Sequence, residues 1–103
     1  MSKIIVLGSG MVGSAMAIDL SKDHQVTICD KNPEVLSGIH SKCKNLITQV
    51  LDVTDKEALK KVLRPFDLVV CAVPGFLGFN TLKSIIEAGK NVVDISFFPE
   101  NSL

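Results

Sequence analysis

The chain has no net charge, no long apolar run and no cysteine pattern, and each absence removes a class of function. Eleven Lys and Arg balance eleven Asp and Glu among 103 residues, so composition offers no basic surface to hold nucleic acid or an anionic membrane. The N-terminal apolar run, Ile4 to Leu7, meets a glycine at once and falls short of a signal-peptide core. No stretch approaches the ~20 apolar residues of a membrane span. Cys29, Cys43 and Cys71 are odd in number and lack C-x-x-C spacing, which argues against a disulfide framework or a zinc knuckle. Cys29 and Cys71 sit inside apolar runs, as buried free thiols do, and a reducing cytoplasm fits best. His24 and His40, the two histidines, stand at neither metal nor triad spacing from a cysteine or carboxylate, so no metal site is expected and His24 reads as a loop residue.

What the chain does have is an alternation of short apolar runs and amphipathic stretches. Ile4 to Leu7 is β-branched-rich and wholly apolar, the pattern of a strand buried on both faces. From Met11 to Lys22 the rhythm becomes helical, with Val12, Ala15, Met16, Ile18 and Leu20 as the expected sheet-facing side. Strands are expected at Gln25 to Cys29, at Leu46 to Val50, within Asp67 to Val73 and at Asn91 to Ile95. Helices are expected from Pro33 to about Lys44, after Thr54, and from about Asn80 to Ala88. Thr54 and Glu57 have capping-box spacing, Arg64-Pro65 stops the helix they open, and Gly89 sits where a helix C-cap glycine belongs. Five strands alternating with helices, two of them too apolar to face water, call for a parallel sheet covered on both faces. No repeat, linker or low-complexity tract interrupts it.

The first strand runs into G-S-G-M-V-G, so Gly8, Gly10 and Gly13 have G-x-G-x-x-G spacing. Gly8 lets the chain leave the strand in a tight turn, Gly10 lets a pyrophosphate approach the backbone, and Gly13 lets the helix lie close to the sheet. The N–H groups around Ser9, Met11 and Val12 then face the anion at the positive end of the helix dipole. Asp30, 22 positions after Gly8, ends the second strand where a carboxylate accepts hydrogen bonds from an adenosine ribose. Asp52 and Val53 follow the third strand, either beside the place of the adenine or simply as the N-cap region of the next helix. Ala72, Val73 and Pro74 lie at the end of the fourth, across the switch point, where the second ribose and nicotinamide run. The fold class is thus a Rossmann-like, doubly wound α/β/α sheet of about five strands in the order 3-2-1-4-5. The expected cofactor is NAD over NADP, because Asp30 opposes a 2′-phosphate as a like charge; Lys31, next to it, softens that preference.

The stretches V-L-G-S-G-M-V-G, L-D-V-T-D, D-L-V-V-C-A-V-P and N-T-L-K-S-I-I-E-A-G-K-N-V-V-D-I-S, together with Asp30, resemble the N-terminal nucleotide-binding domain of the saccharopine dehydrogenase family over nearly the whole chain. The resemblance implies an oxidoreductase that acts on the C–N bond of an amino acid with NAD(P), as saccharopine and lysine dehydrogenases do. It matches Gly8, Gly10 and Gly13 to the phosphate loop, Asp30 to the ribose and Ala72 to Pro74 to the loop beside the cofactor. Family members carry a further substrate-binding domain. Residues 1–103 are therefore expected to be one dinucleotide-binding domain of a longer two-domain enzyme, holding cofactor but no catalytic residues. Its expected partners are the absent domain or a partner subunit, and a second copy in a homodimeric parent.

The alternative is a nucleotide-sensing regulatory domain of a potassium channel or transporter, non-enzymatic, which uses the same fold and glycines. The apolar V-P-G-F-L-G-F-N loop and I-I-E-A-G-K-N-V-V-D favour the dehydrogenase. Asp94 and Ser96 end the fifth strand near the nicotinamide's expected place, with a structural role as the competing reading. Phe76, Leu77, Phe79, Phe97 and Phe98 gather after strands four and five, either as local packing or as a surface for the missing domain or a partner subunit.

Overall fold

The computed structural model describes residues 3–8, 11–72, 83 and 85–94. Its elements are β1 (Lys3–Leu7), α1 (Met11–Leu20), β2 (Gln25–Asp30), α2 (Pro33–Lys42), β3 (Ile47–Val50), α3 (Lys56–Leu63), β4 (Leu68–Cys71) and β5 (Asn91–Asp94). The strands form one sheet in the order β3-β2-β1-β4-β5, and every neighbouring pair is parallel. This is the doubly wound arrangement, with the reversal of direction between β1 and β4.

β1 occupies the centre of the sheet, which explains its unbroken apolar sequence. Ile4 and Val6 pack into the layer covered by α1 and α2, while Ile5 and Leu7 pack into the layer of α3 and Ile85. All four are at most 2% exposed, and each such side chain contributes about 1.5–3 kcal/mol through burial. At the other end of the strands, the Lys3 N–H donates to the Asp67 carboxylate (3.0 Å) and the Asp67 N–H donates to the Lys3 carbonyl (2.8 Å), fixing where β1 and β4 begin.

The helices differ from expectation at their ends and in one face. α1 stops at Leu20 and α2 at Lys42, each two residues early. On α1, Ala15 is exposed, whereas Gly13 and Ala17, one turn apart, are buried. The helix approaches the sheet through its smallest residues, and Met16, Ile18 and Leu20 pack along the margin of that contact. α3 is capped by Asp55, whose carboxylate accepts the Ala58 N–H at 3.2 Å; Thr54 lies one residue too early to cap it. Arg64 ends the helix, where the Arg64-Pro65 pair predicts a stop.

Of the expected fourth helix, residues 83 and 85–87 are described and are helical. Gly89 has φ +77, its N–H donates to the Ile86 carbonyl at 2.9 Å, and the Lys90 N–H reaches the Ile85 carbonyl at 3.4 Å. These two bonds make a Schellman cap. The Lys90 ammonium then donates to the carbonyls of Arg64 (2.9 Å) and Phe66 (3.0 Å), joining the end of α3 to the start of β5.

Candidate functional site

The carboxyl ends of the strands carry the residues singled out in the sequence. Gly8, just past β1, has φ +100, a backbone that side-chain-bearing residues rarely adopt. Its N–H donates to the Cys29 carbonyl at 2.9 Å, so the turn begins while the chain is still held in the sheet. α1 starts at Met11, directing its first amide groups and dipole toward the same end.

Gly13 supplies the close approach. A Cβ there would collide with the Gly8 carbonyl oxygen and stand 3.2 Å from the Ala72 Cβ. Strand end, helix start and β4 exit therefore meet at one point that only glycine fits. Ala72 is buried and its N–H donates to the Leu7 carbonyl at 2.9 Å, which extends the β1–β4 ladder to the switch point. Ser9, Gly10, Val73 and Pro74 lie outside the described residues, as do the side chains of Met11 and Val12. The same holds for Ser96, the side chain of Asp94, and all five members of the Phe76–Phe98 cluster.

On the neighbouring strands, Asp30 ends β2 half-buried, and its Oδ1 accepts the Asn32 N–H at 2.9 Å. Asn32 in turn caps α2, its side chain accepting the Glu34 N–H at 2.9 Å. Lys31 is exposed. Asp52 is exposed and fixed by Thr54, which donates to its Oδ1 through the backbone N–H (2.9 Å) and the hydroxyl (2.6 Å). Those two bonds, with a smaller contribution from the Lys31 charge, hold the Asp52 carboxyl below its ordinary range. Val53 gives part of its side chain to the α3 layer.

Asn32 and Thr54 are the residues sequence reading did not assign to this end. The Asn-Pro step before a helix and the Asp-x-Thr spacing were their signals. His24 is half-buried in the α1–β2 connection; His40 is exposed, with Nδ1 3.1 Å from the Leu46 carbonyl. Among the described residues no group of His, Cys, Asp and Glu could hold a metal, and no helix is long and apolar enough to cross a membrane. A groove of about 240 Å³ along the β3 edge is lined by Pro33, Leu36, Ser37, His40, Thr48 and Val50. It is mainly apolar and unsuited to a phosphate.

Taken together, the parallel sheet, the Gly8 turn, the glycine contact at Gly13 and the acidic end of β2 define a dinucleotide-binding domain. The chain belongs to the saccharopine dehydrogenase NADP-binding domain family, which it matches over residues 4–102. It is 30% identical to the apo saccharopine dehydrogenase (L-Glu forming) of Saccharomyces cerevisiae, with a TM-score of 0.80 over 96% of this chain and 22% of that one. It is 28% identical to the saccharopine dehydrogenase [NADP(+), L-glutamate-forming] of Schizosaccharomyces pombe, over 94% of this chain and 22% of the relative. It is 37% identical to a glycerol-3-phosphate dehydrogenase [NAD(P)+] of Thermoanaerobacter sp. (strain X514), over 96% of this chain and 30% of the relative. The chain thus spans less than a third of the curated relatives it matches.

The comparisons favour NADP over the NAD expected from Asp30, since the family and the fission yeast relative are both described by NADP. The expectation set the Asp30 charge against a 2′-phosphate and let Lys31 soften that preference without reversing it. In the fold the Asp30 carboxylate accepts a backbone N–H, and an exposed lysine follows it.

Proposed function

We propose that the chain is the cofactor-binding unit of an NADP-dependent dehydrogenase of the saccharopine dehydrogenase type, one domain of a longer two-domain enzyme. The observation that carries this reading is the contact at Gly13, where the helix after the first strand meets the Gly8 carbonyl with no room for a Cβ. That closeness is what a phosphate loop needs so that its amide groups reach a pyrophosphate. In this reading the Gly8–Gly13 loop holds the pyrophosphate, Asp30 accepts from the adenosine ribose, Lys31 meets the 2′-phosphate, and Asp52 and Val53 border the adenine. Ala72, Val73 and Pro74 flank the nicotinamide half.

The bound cofactor supplies a hydride acceptor or donor; this chain's residues bind and orient it. The reaction we assign is oxidation or formation of a C–N bond on an amino acid, which the likeness to the two saccharopine dehydrogenases supports. The glycerol-3-phosphate dehydrogenase relative favours a second reading, in which the substrate is an alcohol. Either way the substrate groups belong to sequence beyond this domain. The three thiols, none of them in a disulfide, support a cytoplasmic setting, and a homodimeric parent remains part of the proposal.

Titration calorimetry of the 103-residue chain with NADP and NAD tests the cofactor reading. We expect both to bind, NADP more tightly, with affinity modest for half a crevice. Gly10→Val should abolish binding while circular dichroism stays that of a folded α/β domain. A folded chain that binds neither dinucleotide at millimolar concentration would refute the site.

A further inference from the structure

Two charged residues at the adenosine end stand on neighbouring loops. Asp30 pairs with Val50 in the β2–β3 register, and the Leu51 N–H extends that ladder to the Asp30 carbonyl at 2.9 Å. Lys31 is therefore the first residue past one strand, and Asp52 the second past its neighbour, with strands about 4.8 Å apart. Both are exposed. The Asp52 carboxylate is not free to swing away, because Thr54 holds its Oδ1 by two bonds. It is also kept ionised by those bonds and by the Lys31 charge.

We propose that Asp52 is a positioning residue for dinucleotide choice: pinned by Thr54, it draws the Lys31 ammonium away from the place of a 2′-phosphate and so holds NADP affinity below what Lys31 alone gives. The inference rests on the cofactor reading above. Lysine carries a point charge on a flexible stem, so one ammonium cannot serve a fixed carboxylate and an incoming phosphate equally well. A 2′-phosphate wins the contest because it carries more charge, but against a competitor. NAD, which lacks that phosphate, leaves the Lys31–Asp52 attraction in place.

The effect is that of an exposed charge pair, about two- to fivefold in a binding constant. Dissociation constants for NADP and NAD are measured for the unmodified chain, Asp52→Asn, Lys31→Met and the double variant. Asn keeps an oxygen for Thr54 to donate to, and position 52 is exposed, so the fold is retained. We expect Asp52→Asn to tighten NADP two- to fivefold and to shift the NADP-to-NAD ratio by the same factor. The gain should vanish in the Lys31→Met background and shrink at 1 M salt. Thr54→Val, which removes the hydroxyl bond alone, should move the ratio the same way by less. An equal gain with and without Lys31 means direct repulsion of the phosphate by Asp52, and overturns the proposal. So does an unchanged ratio in Asp52→Asn. If the unmodified chain binds neither dinucleotide, the cofactor reading itself fails, an outcome separate from the other two.

Discussion

Gly13 sits in a helix, where alanine ordinarily gains about 1 kcal/mol over glycine, yet the space around it reverses that preference. The atom an added methyl meets is the Gly8 backbone oxygen, which cannot rotate aside as a side chain would. The helix would have to move off the sheet, at a cost of about 1–3 kcal/mol. Gly13→Ala should therefore lower the urea midpoint, and it should weaken dinucleotide binding by lifting the helix start from the Gly8 turn. Gly38, with nothing within 4 Å of an added Cβ, is the control: Gly38→Ala should be neutral or stabilising.

Cys29 shows the same dependence on surroundings. Burial, with help from the charge of neighbouring Asp30, pushes its thiol up from its ordinary 9.0 to about 12. A raised acid pKa means that the folded state keeps its proton where the unfolded chain has lost it. Its contribution to stability is thus complete below about pH 9, and declines as pH rises from there toward 12, by at most ~1.4 kcal/mol per pH unit. Thermal melts between pH 8 and pH 10.5 should show the loss, and Cys29→Ala should flatten that part of the curve. At pH 8 a thiol reagent should modify half-buried Cys43 first, while Cys29 and Cys71, both buried, should react only on unfolding.

At the scale of elements, the central strands could be read from sequence because both their faces are buried, which leaves no ambiguity of period in I-I-V-L or L-V-V-C. Helix ends were less legible, because capping turns on which oxygen reaches which N–H. Thr54 and Glu57 satisfy the capping spacing, but Asp55 has the carboxylate that accepts from Ala58, and Thr54 donates to Asp52. Asp55→Ala should then cost about 0.5–2 kcal/mol in chemical denaturation. Thr54→Ala should cost less and register in cofactor binding. The buried side of α1 was misjudged at Ala15 for a related reason: hydrophobicity alone does not separate Ala15 from Ala17, whereas packing around Gly13 does. Lys90 was invisible as an anchor, since its two acceptors are backbone carbonyls 24 and 26 residues away. Lys90→Met should destabilise by about 1–3 kcal/mol, because two carbonyls lose a charged donor.

For the whole molecule, the residues proposed for the phosphate and ribose ends follow β1, β2 and β3, which lie next to one another in the sheet. The glycine spacing and the acidic strand end were enough to single these residues out in the sequence. The distinction between NAD and NADP was not legible there, since the Asp30 carboxylate argued for NAD whereas the family is described by NADP; on the proposed reading it turns on where the Lys31 charge goes. A hydride transfer further requires a substrate carbon held in contact with the nicotinamide, and this chain covers 22–30% of the relatives that perform one. On the proposed reading the groups that hold the substrate lie in a further domain, and affinity for cofactor without them lowers no barrier. The 103-residue chain should therefore bind dinucleotide yet give no change in nicotinamide absorbance with saccharopine, lysine or glycerol 3-phosphate at saturating cofactor. Turnover with any of these by the purified chain, lost on Asp94→Asn, would place the chemistry at the end of β5 and make this domain an enzyme by itself.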